Sequence, residues 1–398
     1  MSLLRSARFP AVVLLLAAVA ALLIANSPLG PSVIALKDTY VGIPGVFEMS
    51  IGHWIQDALL AVFFFMVAVE LQFELTNGEL NSARKALQPA IAAAGGVVVP
   101  IAIYLLFAAG SDSAAGWPIP TATDIAFALG VLAVFGKGLP AGIRIFLLAL
   151  AILDDIVGIV FIAVLFTDGV DLAMLALAAL AVIVFGLLSR RLDSRARIPV
   201  AVALAIVGVA TWVLVYESGV HATIAGVALG LAMAQQPALR TRHALEPWVN
   251  GVVLPLFAFS AALVVIPAVS PSQLAPAFWG VLIALPVGKI IGITVFGWIS
   301  MRIGDRSASP QLAVADLVAA GALGGIGFTV SLLLSELAFA TDPVLRDEAT
   351  LGVLGGSLIS LVVAGALVAQ RAKHHRRMGG TSSDPSVGTS TPIGGQLA

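Results

Sequence analysis

The chain has no cysteine among its 398 residues, so disulfides, thiolate metal sites and cysteine nucleophiles are excluded. Charge is scarce as well. Only 11% of residues are Asp, Glu, Lys or Arg while 60% are hydrophobic, a balance foreign to soluble globular domains. There is no phosphate-binding glycine loop, and the basic residues flank apolar segments instead of forming a patch. Nucleic acid, nucleotides and redox cofactors therefore find no support. The net charge of −1 says little; the placement of the charges says much more.

Twelve apolar stretches have membrane-crossing character: 9–26, 53–74, 87–110, 112–136, 143–166, 171–188, 199–216, 219–235, 247–268, 278–300, 314–338 and 349–370. The first follows Arg5 and Arg8 as a signal peptide would. It lacks a clear small-x-small cleavage site, eleven spans follow, and it reads as a retained helix. Assigning the connectors alternately to two sides puts 18 of the 21 Lys and Arg residues on the side of the N-terminus. Lys37 and Arg346 lie opposite, and Lys289 falls inside a span. By the positive-inside rule this predicts an all-α polytopic membrane protein of twelve transmembrane helices with both termini cytoplasmic. One membrane domain would occupy 1–370. The tail, 371–398, would be basic at first, with His374 and His375 solvated or lipid-facing, and disordered from Thr381.

Few polar residues remain inside the spans. Asp154 and Asp155 sit side by side within the 24 residues from Ile143 to Phe166, long enough at about 1.5 Å per residue to cross roughly 30 Å of hydrocarbon. Each acid at that depth costs on the order of 2.5–3.5 kcal/mol, so an ion or proton site is the default reading. Asp124 on the fourth span and Lys289 on the tenth belong with them, since three acids facing one base leave negative charge that wants a cation or protons. Asp57 on the second span serves either helix bridging or transport. Glu70, with Glu74 one turn on, reads as a solvated helix terminus, and Asp316 and Glu336 as span ends facing water.

Two spans look broken. Gly116, Pro118 and Pro120 precede Thr121, Thr123 and Asp124 in the fourth, and Gly321, Gly324, Gly325 and Gly327 crowd the eleventh. The breaks lie seven spans apart, an odd offset, so the two segments run in opposite directions. Pro100 in the third span parallels Pro286 in the tenth. Spans 3–5 and 10–12 thus read as inverted repeats, each with one discontinuous helix, the arrangement that marks binding sites in secondary transporters.

The strings TATDIAFALGVLAVFG, LALAILDDIVGIV, SGVHATIAGV, PWVNGVVLPLFAF, PVGKIIGI and GGIGFTVSLL, in that order, closely resemble the NhaA-type sodium/proton antiporters. The resemblance runs from about residue 10 to 370. It implies two broken helices crossing at mid-membrane and electrogenic exchange of cytoplasmic Na+ or Li+ for external H+ by alternating access, with no cofactor, in a bacterial-type inner membrane. It implies further that Asp154 and Asp155 bind cation or protons in competition, that Thr123 and Asp124 lie at the crossing, and that Lys289 faces the acids. Two carboxylates, the Thr123 hydroxyl and freed carbonyls would suit Na+. Such close acids cannot both ionise cheaply and should titrate as a pair. Lys289 is left as either a fixed counter-charge or a proton carrier.

The same resemblance links His221, His243, Glu246, Glu70 and Glu74 to pH response. Here the chain departs from the family: Glu246 stands where a second histidine is common, and Gln72 and Phe73 replace two basic residues, so that Glu70 and Glu74 are expected to lose the basic neighbours the family places there. The outer connector from Ser27 to Gly52 would form a dimerisation hairpin. Two other classes fit less well. An intramembrane aspartyl protease needs acids from different helices, and a channel or sodium-coupled symporter would not exchange Na+ for H+ without added solute.

Overall fold

A computed structural model of the protein describes residues 8–45, 47–78, 80–167, 169–192, 197–303 and 312–380. Helix α1 (Arg8–Ala25) meets α2 (Gly30–Lys37) at 115°. Strands β1 (Tyr40–Ile43) and β2 (Phe47–Ser50) follow as an antiparallel hairpin, Tyr40 opposite Ser50 and Ile43 opposite Phe47. Next, α3 (Ile51–His53), a π turn (Trp54–Leu59) and α4 (Leu60–Thr76) form one 26-residue run. The chain continues through α5 (Ala83–Ala108), two 3₁₀ turns (Asp112–Gly116 and Ile119–Thr121), α6 (Ile125–Phe135), α7 (Ala141–Leu165), α8 (Leu172–Ser189), α9 (Arg197–Glu217) and α10 (Thr223–Ala232). Helix α11 (Gln235–Trp248) passes through a π turn into α12 (Leu254–Ala261), and α13 (Pro276–Ile283) does the same into α14 (Lys289–Ile303). Last come α15 (Val314–Gly324), α16 (Phe328–Ala338) and α17 (Pro343–Gly380).

Eight helical runs among the described residues are long and apolar enough to cross a bilayer, or eleven if each bent pair is one span. The protein is thus an all-α polytopic membrane protein, with one short hairpin among the described residues. The remaining apolar helix, α10, has ten residues and reaches only about 15 Å.

Proline and glycine shape the interior. Pro286 lies inside the π turn Ala284–Gly288, and Pro255 just follows the π turn Val249–Val253. A missing N–H breaks the regular ladder, and the wider turn absorbs the mismatch. Helices α5 and α14 touch backbone to backbone. A Cβ on Gly95 would lie 2.5 Å from the Gly292 carbonyl oxygen, and one on Gly292 would lie 2.1 Å from that of Gly95. Helix α10 meets α4 as closely, a Cβ on Gly226 falling 1.9 Å from Ala61 O.

The broken stretches bend by 45° between Asp112–Thr121 and α6, and by 49° between α15 and α16. The first half of the former is a pair of 3₁₀ turns where half an α-helix was expected, because Pro118 and Pro120 remove two donors in three residues. The segment holding His243 and Glu246 belongs to α11, which runs through Pro247, and so is no simple connector. Expectations for Arg5, Arg195, Arg306 and the tail from Thr381 lie outside the described residues.

Candidate ion-binding site

Successive residues on a helix point about 100° apart, and α7 divides its acids accordingly. Asp154 turns into the protein and is 2% exposed. Its Oδ2 accepts hydrogen bonds from Lys289 Nζ and Thr123 Oγ1, both at 2.6 Å, while its Oδ1 has no hydrogen-bond partner among the described residues. Asp155 turns to a cavity of about 350 Å³, whose wall also carries Glu70, Arg144, Arg242 and Glu246. Among the described residues no hydrogen bond or ion pair engages the Asp155 carboxyl.

Lys289 is fully buried, on the first turn of α14. Its ammonium donates to Asp154 Oδ2, to Thr123 Oγ1 at 3.1 Å and to the Thr121 carbonyl. These three acceptors match the three N–H groups of an ammonium; a neutral amine would leave one of them short. The Thr123 hydroxyl faces two acceptors, Asp154 Oδ2 and Gly324 O at 2.8 Å, with a single proton. It can serve one at a time.

The two breaks meet through the backbone, Asp124 N donating to Ile326 O at 2.6 Å. The Asp124 side chain then caps two helices. Oδ1 accepts from Ala126 N at 3.0 Å and Phe127 N at 3.1 Å at the start of α6; Oδ2 accepts from Thr329 N at 3.2 Å and Thr329 Oγ1 at 2.7 Å at the start of α16. Helix N-termini carry partial positive charge and C-termini partial negative charge. A carboxylate thus faces the two positive ends. The carbonyls of Thr121 and Gly324, at the two negative ends, receive Lys289 and Thr123.

Several expectations need correction. Glu70 has a basic partner after all: Arg242 from α11 forms an ion pair with it, because α11 lies over α4. Glu74 is no solvated terminus, since it is buried, whereas Glu70 is half-buried on the cavity wall. Asp316 does not face water; it is 2% exposed, 2.8 Å from Arg371 Nε and 3.1 Å from His375 Nε2, so His375 is engaged by protein as well. Glu336 pairs with Lys37 and Arg346. Of the remaining residues, His243 is mostly exposed and 3.6 Å from Glu246. His221, before α10, places Nε2 3.6 Å from Asp57 Oδ1, far along the chain but adjacent in space.

Sequence reasoning missed Arg242, Thr329, the Gly324 carbonyl and Ser357, whose hydroxyl accepts from Phe328 N at 3.2 Å. Thr329 stood two residues past the glycine run, the sort of hydroxyl a freed helix start recruits, and was findable. Arg242 depended on two helices packing, which no local pattern encodes.

A family model described as Na+/H+ antiporter 1 matches residues 1–368. A protein of Clavibacter michiganensis named Na(+)/H(+) antiporter NhaA 2 is 54% identical, the match covering 96% of this chain and 95% of that protein. The Na(+)/H(+) antiporter NhaA of Tropheryma whipplei is 45% identical over 92% and 94%, and that of Streptomyces avermitilis 43% over 94% and 82%. The family model spans the helices that hold the paired acids, the crossing and the buried lysine, and the chain belongs to the Na+/H+ antiporter family, whose members are secondary transporters and not enzymes.

Proposed function

We propose that this chain exchanges cytoplasmic Na+, or Li+, for external H+ electrogenically by alternating access, and that Asp154 and Asp155 form the site at which cation and protons compete. The observation that carries the reading is the split of the two acids, one facing a cavity and the other holding a buried lysine with one oxygen left without a partner. A hard cation entering the cavity meets Asp155 first; Asp154, Thr123 and the Gly324 carbonyl lie behind the cavity wall, and the cation gains Oδ1 of Asp154 as a ligand once the wall between them opens. Two neighbouring carboxylates in low dielectric need neutralising charge, and protons or Na+ supply it equally well. Lys289, with three N–H bonds filled, acts as a counter-charge in this conformation. Moving more protons than cations would let the membrane potential, about 2.3 kcal/mol per charge per 100 mV, drive the cycle.

The finer architecture belongs to the same proposal. Twelve crossings follow if α10 is counted with the eleven; spans 3–5 and 10–12 are inverted repeats; both termini are cytoplasmic; and the 40–50 hairpin, whose first strand is wholly exposed, pairs two copies. The pH-response roles of Glu70, Glu74, His221, His243 and Glu246 are part of it too.

The test is exchange in proteoliposomes carrying a lumenal pH dye. An imposed Na+ gradient should move protons oppositely in the wild type, and the signal should vanish in Asp154→Asn and Asp155→Asn. An undiminished signal in both variants would contradict the assignment.

A further inference from the structure

Away from the basic-rich face, two isolated cations converge on one carboxylate. Lys37 Nζ lies 3.7 Å from Glu336 Oε1, and Arg346 Nε lies 3.7 Å from Glu336 Oε2. Lys37 also donates to Ser260 O at 3.0 Å, and Arg346 Nη2 lies 3.2 Å from Asp347 Oδ1. The Glu336 side chain is 13% exposed, so solvent only partly screens these contacts.

The members belong to two helix groups that also pack on each other, α1 against α6 and α12 against α16. Lys37 ends α2, whose corner with α1 is fixed to the segment after α12. Asn26 donates to Val264 O at 3.0 Å and accepts from Ile266 N at 2.8 Å. At that corner a Cβ on Gly30 would lie 2.2 Å from Ala25 O, so α2 folds back against α1 at close range. Glu336 lies in the last turn of α16, whose first turn holds Thr329 against Asp124 at the crossing. Helix α16 is bonded to α17 through Phe328 N and Ser357, and Arg346 stands in the first turn of α17. The Lys37–Glu336 contact therefore adds a bridge from the group containing α1, α2 and α12 to the one containing the crossing, away from the cavity that Asp155 lines.

We propose that Lys37, Glu336 and Arg346 form an outer-face lock that favours the conformation with the cavity open to the cytoplasm and parts during each cycle. This rests on the alternating-access reading. Partly exposed ion pairs shift such an equilibrium by about two- to fivefold, enough to set a rate without blocking transport.

The lack of cysteine makes the test direct. Val67→Cys places one thiol on the cavity wall, and its reaction with a membrane-impermeant maleimide from the cytoplasmic side reports the inward-open population. Added to that background, Glu336→Gln and Lys37→Gln should each slow labelling, by up to about two- to fivefold. Labelling that responds to Na+ in the Val67→Cys parent but is equal in both added variants overturns the lock alone. Labelling in the parent that ignores Na+ and pH removes the alternating-access reading, and the lock with it.

Discussion

A charged side chain in a bilayer is tolerated only with a partner or a task, and the buried charges here divide on that line. Asp124 is fully occupied by four donors from two helix starts, so its part is architectural as much as ionic. Replacing it by Ala strips both caps at about 0.5–2 kcal/mol each, before counting the amides left bare. The melting midpoint of purified Asp124→Ala should fall by several degrees, with a smaller fall in Asp124→Asn, which keeps an acceptor. An unchanged midpoint in Asp124→Ala would deny the double cap. Lys289→Met should destabilise the fold through the uncompensated Asp154 carboxylate, a loss of about 3–5 kcal/mol if the acid stays ionised. The loss should shrink as pH falls and Asp154 takes up a proton, and a pH series of melting curves checks this. The importance of these side chains was legible because ionisable groups stand out in apolar runs. That Asp124 would serve two helices at once was not, since its second partner lies 205 residues away.

At the scale of elements, breaks and contacts are set by residues that lack something: prolines lacking an N–H, glycines lacking a Cβ. The reciprocal approach of Gly95 and Gly292 predicts that Gly292→Ala separates α5 from α14 and shifts Lys289 on the turn before it. Transport should be lost along with thermal stability, whereas Gly45→Ala, in the open hairpin turn at φ 74°, should cost only local strain. Comparing melting midpoints and transport for the two variants tests this, and equal effects would contradict it. Both breaks could be read from GWPIPTATD and GALGGIGFT, because missing donors and missing side chains are written in the residues themselves. The 3₁₀ form of the first half-element could not, nor could the extent of α11. Its polar stretch from Gln235 to Glu246 scores as a connector by hydropathy, yet it is helical and covers one side of the cavity with Arg242 and Glu246.

For the whole molecule, the division of charge between two faces set the orientation expected from sequence, and the cavity joins that pattern to the site. Its wall carries three acids, Glu70, Glu246 and Asp155, against two bases, Arg144 and Arg242. Arg242→Gln makes it more negative and should lower the apparent KM for Na+ by about two- to threefold at low ionic strength, a difference that fades at high salt. No change at either salt concentration would show that the cavity does not collect cations. The proposed competition at the acid pair also fixes the sign of the pH effect. Where one proton must leave for each Na+ bound, apparent affinity rises about tenfold per pH unit, and twice as steeply for two protons. The most direct measurement is calorimetric titration of the purified protein with Na+ in buffers of different ionisation enthalpy, which counts the protons released on binding. One or more protons should leave per Na+ in the wild type, with release abolished or halved in Asp154→Asn and Asp155→Asn. Binding heats independent of buffer, with Na+ held as tightly at pH 6 as at pH 8, would contradict the competition on which the exchange depends.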